Sequence, residues 1–340
     1  MEKNKISIIG CGAVAELMYL PAIKQIENIE IVNLVDLNKG FRDSLAKKFN
    51  LDPAICCDSL PLSSSDGEIA LVLVPTGLHE KVTIDCLNKG YHVMCEKPLA
   101  ANMEEVVNLI EVSNEKNRHL SVGMARHFMP HNLIVKDLIQ NKTFGEPKKV
   151  YFEEGGAFAW PIKTMARFDS KASGNGAVLN GTASHLIDLI LWWFGDNVVF
   201  DEFIDDSNGG LDINCNIKFD VIMKDNSPLP VEGLISMTGN LKNNMIIFFE
   251  DAYLEVPIFP NEDIIFHSPF NPQNSFNLNP YKSGTEYGYD SIRRHIIKFI
   301  NAINDEELNS DYVRGDTQIA LTKLIDDAYS NRKKFNLSWM

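Results

Sequence analysis

Lys97 stands in the run Cys95-Glu96-Lys97-Pro98, directly after a short apolar stretch, His92 to Cys95. A lysine at the end of a buried strand loses water around its ammonium. Desolvation makes its proton easier to give up, so the side chain can act as a general acid or base on a hydroxyl or carbonyl oxygen. Because Pro98 follows, the Lys97–Pro98 peptide is of the kind that adopts the cis form and fixes a side chain in a tight turn. A second chemical pattern lies near the N-terminus, where KISIIGCGAVAE spans Lys5 to Glu16, with Gly10, Gly12 and Ala15 at G-x-G-x-x-A spacing. A turn of this kind lets the backbone of Gly10, Cys11, Gly12, Ala13 and Val14 approach a pyrophosphate, while the following helix offers N–H groups and a favourable dipole. Taken alone, the spacing also fits a plain tight turn. The next apolar run, Ile29 to Val35, ends in Asp36, whose carboxylate can accept from both ribose hydroxyls of an adenosine and would repel a 2′-phosphate. The combination points to a dinucleotide site that takes NAD(H) in preference to NADP(H), with Glu96 and Lys97 beside the nicotinamide.

A third candidate segment is Leu73 to His79, LVPTGLH, at the carboxyl end of an expected parallel strand, where ligands bind in open α/β sheets. One reading puts Pro75, Thr76 and His79 against the cofactor; the other makes His79 a satisfied histidine at a helix start.

These residues require a particular scaffold. The first part of the chain alternates strand-like runs (6–9, 29–35, 54–57, 69–74, 92–95 and 120–124) with helix-like stretches (38–49, 81–89 and 103–116). That alternation predicts a doubly wound parallel sheet with helices on both faces, an α/β Rossmann domain over residues 1–123. Beyond it, strand-like runs at 148–154, 214–223, 231–237, 244–250 and 252–256 follow closely on one another, among helix-like stretches at 133–140, 184–194, 291–304 and 315–331. Residues 124–340 are therefore expected to form an α+β domain with a large, mainly antiparallel open sheet. Either helices or a second copy of the chain must cover such a sheet.

Composition narrows the partners. The 340 residues are 45% apolar and 23% charged, with a net charge of −14, which argues against nucleic acid or an anionic membrane as partner. The first apolar run is a short strand rather than a leader, and none approaches the ~20 residues of a membrane span, so a cytoplasmic protein is expected. The six cysteines show neither C-x-x-C pairs nor a Cys/His ligand pattern, and no metal site is expected.

With G-x-G-x-x-A, Asp36, PTGLH and EKP in this order, the chain resembles the Gfo/Idh/MocA family of oxidoreductases over nearly its whole length, since SGNGAVLNGTASHLIDLILWWFG in the second domain also matches. The resemblance implies a nicotinamide cofactor in the first domain, and substrate binding and homodimer or homotetramer contacts through the C-terminal sheet. It also implies Lys97 as catalytic lysine, His185 as the family's histidine, and a carbohydrate-like substrate whose hydroxyl and ketone forms interconvert. It places an arginine, here Arg126 beside His127, near the cleft, and Trp160 falls among aromatic residues (Tyr151, Phe158, Phe168) suited to stacking on a sugar or simply to filling space. One departure bears on mechanism. The family commonly reads G-G-G-x-x-x-D-x-G-x-H, but here Asn175 replaces the first glycine and Gly181 stands where the aspartate would be. Proton transfer must then run through Lys97 and His185, unless Asp188 merely holds His185 in place. Two other readings stay open: a catalytically impaired NAD(H)-binding sensor, and a reductase of a C=N or C=C bond. Trp192 and Trp193 are expected in the core.

Overall fold

The computed structural model describes residues 3–173, 176–207, 210–268, 275–281, 287–304 and 312–335. The chain divides into two units, the first made of Met1–Ala125, Pro161–Gly174 and Gly288–Ile319, the second of Arg126–Trp160, Asn175–Tyr287 and Ala320–Met340.

In the first unit, six strands form one parallel sheet: β1 (Asn4–Ile9), β2 (Ile29–Val35), β3 (Cys56–Cys57), β4 (Ile69–Val72), β5 (His92–Cys95) and β6 (Leu120–Val122), in the order β3-β2-β1-β4-β5-β6. β4 and β5 are buried at every position. Continuous apolar runs of this kind suit a parallel sheet covered on both faces. Connecting helices span Lys39–Lys48, His79–Asn88 and Met103–Glu115, the first capped by Asn38, whose side chain accepts from the N–H groups of Gly40 and Phe41.

Two local details differ from the sequence expectation. β3 is shorter than 54–57 because the Asp52 side chain accepts from Ala54 N–H at 2.9 Å and winds Pro53–Ile55 into a 3-10 turn. The helix after the glycine turn contains a π-helical stretch, Ala15–Tyr19, before Leu20–Ile23. Pro21 lies in that second piece and has no N–H to give to the ladder, and interrupted hydrogen bonding of this type accompanies π-bulges.

The larger correction concerns the boundary at Gly123. Helix Gly288–Asn304 belongs to the first unit, where Ile292, Ile296, Phe299 and Ile300 join Ile8, Leu20, Leu34 and Leu71 in one core. Their spacing places them along one helix face. Counting strands could not reveal this return, because the partners of that face are about 220–290 positions away in sequence.

In the second unit, nine strands among the described residues form a mixed sheet: β7 (Pro147–Gly155), β8 (Val198–Asp205), β9 (Asn214–Ile222), β10 (Pro228–Ser236), β11 (Asn244–Phe249), β12 (Tyr253–Pro257), β13 (Ile264–His267), β14 (Ser275–Leu278) and β15 (Lys333–Lys334). The order is β14-β13-β12-β11-β7-β10-β9-β8-β15, antiparallel except where β10 meets β7 and β15 meets β8. Burial alternates along β9 and β10, so Ile217, Phe219, Val231 and Ile235 face a core and their neighbours do not. Gly233 pairs with Phe152 on β7, and the ring of Phe152 occupies the space a Cβ at 233 would need. Helix Ser184–Phe194 is almost wholly buried, and Trp193 donates its indole N–H to Asn132 C=O at 3.2 Å. Trp192 differs from the expected core residue: it stacks on His127 with centroids 4.2 Å apart and carries the Lys136 ammonium 3.8 Å from its ring centre.

All six cysteines are free thiols. Among the described residues no helix is long and apolar enough to cross a membrane, and no cluster of metal-ligating side chains occurs.

Candidate active site

β1 and β4 lie side by side, and the chain leaves them in opposite directions around the sheet, which opens a crevice at their carboxyl ends. Gly10 lines it with φ +99°, and a Cβ there would sit 2.6 Å from the Leu73 carbonyl oxygen. Only glycine allows both that backbone angle and that closeness. A Cβ on Gly12 would meet nothing within 4 Å, so the turn is open on that side. The helix begins at Ala13, ahead of its first bond from Glu16 N–H to Gly12 C=O at 3.2 Å, and so the N–H groups of Ala13 and Val14 precede the intrahelical ladder. Ala15 is fully buried, and Cys11 is buried with its thiol pushed up to about 12 by burial and by Asp36, which leaves it unreactive.

Asp36 closes β2 beside this turn. Its Oδ2 accepts from Cys11 N–H at 2.8 Å and its Oδ1 from Asn38 N–H at 2.7 Å, while Arg42 donates a guanidinium N–H to the Asp36 carbonyl. The carboxylate is thus fixed in direction before any ribose reaches it, with lone pairs to spare. An open glycine cradle, a helix start and an anchored acid together fit an adenine dinucleotide.

Next to β4, Pro75 is exposed and Thr76 half-buried at the head of a short 3-10 turn, Thr76–Leu78. His79 corrects the expectation of a cofactor ligand. It is 1% exposed, and its ring nitrogens lie 2.7 Å from Pro98 O and 2.9 Å from Val74 O. Both are occupied, so His79 ties the loop after β4 to the turn after β5. Burial lowers its pKa, while the two carbonyl oxygens, which only a protonated ring can satisfy together, oppose that shift.

That second turn holds Lys97, and the Lys97–Pro98 peptide is cis. Glu96 accepts Lys97 N–H on Oε2 at 2.9 Å and the Tyr19 hydroxyl on Oε1 at 2.8 Å. Burial pushes the Glu96 carboxyl above the usual range, against the pull of Lys97 and Tyr19. A Cβ at Gly123 would come within 2.9 Å of both Glu96 Oε1 and Tyr19 Oη, so small size at 123 is what admits this pair. Lys97 itself is half-buried. Its turn is held on one side by Glu96 through Tyr19 and on the other by His79 through Pro98.

The second unit carries His185 in the first turn of helix Ser184–Phe194, directly after a π-helical stretch, Leu179–Ala183, that contains Asn180 and Gly181. Asp212 organises this start: its carboxylate accepts from Ala177, Val178 and Leu179 N–H at 2.8, 3.2 and 2.7 Å, and from Tyr329 Oη at 3.2 Å. Burial raises its pKa, although those bonds oppose the shift. Asn180 is 4% exposed, and its backbone takes up Ser184 Oγ at 2.6 Å and Tyr329 Oη at 3.3 Å. Asn175 lies outside the described residues. Asp188, one turn past His185, has its Oδ2 2.5 Å from His127 Nε2.

Arg126 also differs from expectation. Its two terminal nitrogens each donate to Glu154 at 3.0 Å, and the pair is mostly buried at 13% and 11% exposure. A guanidinium paired this way is a structural brace rather than an open grip for a substrate anion. Trp160 is 40% exposed and Phe168 37%, so both rings keep surface for contact.

Sequence reasoning missed Tyr19, Asp212 and Tyr329. Tyr19 is 77 residues from Glu96, and Asp212 is 33 to 35 from the N–H groups it caps, so no local spacing announces either contact.

Residues 4–124 match a family model described as an oxidoreductase family with an NAD-binding Rossmann fold. Among curated proteins, the chain is 26% identical over 308 residues to glucose-6-phosphate 3-dehydrogenase of Bacillus subtilis, covering 88% of this chain and 78% of that one. It is also 26% identical over 200 residues to the NADP(+)-dependent scyllo-inositol 2-dehydrogenase of the same organism, covering 56% of this chain and about half, 52%, of that protein. Among solved structures, a 3-ketoreductase from Actinomadura kijaniata in complex with NADP and TDP-benzene superposes with a TM-score of 0.81, covering 98% of this chain and 99% of that one at 16% identity. At that identity the likeness is one of fold.

Proposed function

We infer from the chain's membership of the Gfo/Idh/MocA oxidoreductases, which makes it an NAD(P)-dependent oxidoreductase, that it interconverts a hydroxyl and a ketone on a phosphorylated hexose or a related sugar or polyol. The observation that carries this reading is the Lys97 turn, braced by Glu96 and His79 at the carboxyl end of β5. When bound, the nicotinamide supplies or accepts a hydride at the substrate carbon. Lys97 Nζ then holds the proton of the substrate oxygen, removing it as the alcohol is oxidised and returning it as the ketone is reduced. His185 assists at that oxygen, since position 181 carries no carboxylate and a histidine exchanges protons near neutral pH. NADH is the preferred reductant because Asp36 is anchored where a 2′-phosphate would meet its charge.

The sugar phosphate leads among substrates because glucose-6-phosphate 3-dehydrogenase matches 88% of the chain, across both units. The test is nicotinamide absorbance with NAD⁺ and glucose 6-phosphate, glucose, myo-inositol and nucleotide sugars in parallel. Glucose 6-phosphate is expected to give the fastest reduction of NAD⁺. Turnover of myo-inositol alone would move the substrate class to polyols.

A sensor is the second reading, favoured specifically by Gly181. It predicts NADH binding without turnover of any sugar or polyol, and function that survives loss of Lys97.

The protein pairs through the open face of its second sheet, where Tyr151, Phe248 and Tyr253 lie together and the last two stack at 5.8 Å. Sedimentation at micromolar concentration should give a dimer or tetramer; a monomer would remove this assignment.

A further inference from the structure

A segment far along the chain crosses the crevice between β1 and β4. Residues 161–174 belong to the first unit, although they are separated in sequence from the rest of it. At one end, Lys163 Nζ lies 3.2 Å from the Cys11 carbonyl oxygen in the glycine turn and 2.6 Å from Glu16 Oε2 in the helix that follows. At the other, Gly77 N–H, in the loop after β4, donates to Ala172 C=O at 2.9 Å. A Cβ on Gly77 would run into the carbonyl of Lys171, so the two backbones are in direct contact. The segment is therefore fastened to both lips of the crevice in which a dinucleotide pyrophosphate is bound in sheets of this order.

Charge gives that placement a consequence. The chain carries a net charge of −14, and Glu16 puts a carboxylate beside the anion-binding turn. A pyrophosphate there meets repulsion as well as helix N–H groups. Lys163 shares Glu16 with Lys48, which lies 2.6 Å from the other carboxylate oxygen, so two cations meet one anion at this edge of the turn. Lys163 is the one of the two that also reaches the glycine turn itself. Rotation of its long side chain exchanges a carbonyl oxygen for a phosphate oxygen while Lys48 continues to neutralise Glu16.

We propose that Lys163 is a ligand for the pyrophosphate of the bound nicotinamide dinucleotide, carried by a strap, residues 161–173, that covers the β1–β4 crevice. The proposal rests on reading the glycine turn as a dinucleotide site. It assigns a cofactor contact to a stretch whose aromatic neighbours suggested stacking on a substrate or the filling of space.

The test is calorimetric titration of the unmodified protein, Lys163→Gln and Lys163→Arg with NADH and with ADP-ribose, which has the pyrophosphate but no nicotinamide. Lys163→Gln is expected to weaken both ligands by about tenfold or more, since a charge-assisted bond is lost, while Lys163→Arg keeps most of the affinity. Equal losses for the two ligands locate the effect at the phosphates. Unchanged affinities in Lys163→Gln, or a loss confined to NADH, would overturn the proposal. Failure of the unmodified protein to bind either NADH or NADPH would instead overturn the dinucleotide reading on which it stands.

Discussion

Lys97→Met is expected to cut kcat by about 10²–10⁴-fold, the usual range for removing a positioned general acid or base, with NADH affinity within about twofold of the unmodified protein. The argument is geometric. The backbone of the turn is fixed by Glu96 on the Lys97 N–H and by His79 on the Pro98 carbonyl, and neither bond uses the Lys97 side chain. Methionine fills a similar length without a proton to move, so the turn should persist while the chemistry stops. The proposed cofactor contacts, the glycine turn and Asp36, lie on the loops after β1 and β2, away from this turn's side chain. Stopped-flow nicotinamide absorbance gives kcat, and fluorescence titration gives the NADH affinity. A loss in both together would mean that the turn had collapsed, and near-normal kcat would assign the proton to another group.

Asp36→Ala is expected to weaken NADH by about 1.5–3 kcal/mol, roughly tenfold to a hundredfold, and to narrow or reverse the preference over NADPH. Two effects add. The ribose loses a charged acceptor, and the 2′-phosphate loses a like charge. Arg42 gives the second effect further weight: it lies against the Asp36 carbonyl, six residues on, where a guanidinium could meet a 2′-phosphate. The substitution also frees the N–H groups of Cys11 and Asn38, so Asp36→Asn, which keeps an acceptor without the charge, separates anchoring from electrostatics. Asn should fall between the two in NADH affinity. Equal affinities of the unmodified protein for NADH and NADPH would remove the assignment of selectivity to Asp36.

The parts of the site that the sequence displayed obey short-range rules. Gly10 is legible because φ above zero and close backbone approach both demand glycine, and Lys97 because a lysine before proline at a strand end is conspicuous. The parallel sheet was legible for the same reason, since continuous apolar runs such as β4 and β5 mark strands covered on both faces. Strand ends were less so: β3 gives way to a 3-10 turn because a single Asp52 side chain competes for the backbone. Contacts across long separations left no local trace. The helix at 288–304 reads as a generic amphipathic element, and nothing in its own residues says which sheet it covers. Asp212 reads as one acid before a strand, yet it caps the segment leading to His185. His79 and Arg126 show the converse, in that residue type suggested a ligand while burial and partners made each a brace.

The missing carboxylate at Gly181 bears on how the second unit contributes. Asp188 is the nearest acid along the helix, but its Oδ2 lies 2.5 Å from His127 Nε2, and both side chains are under a tenth exposed. A buried pair of this kind holds the helix in place.

The most direct test is transfer of isotope. NADH carrying deuterium at the reactive C4 position would be incubated with the ketone form of the sugar identified by the absorbance assay, and the product examined by mass spectrometry and NMR. The account predicts deuterium on the carbon that bears the new hydroxyl, with transfer lost in Lys97→Met. Product without deuterium at that carbon, or unimpaired transfer in the variant, would contradict it.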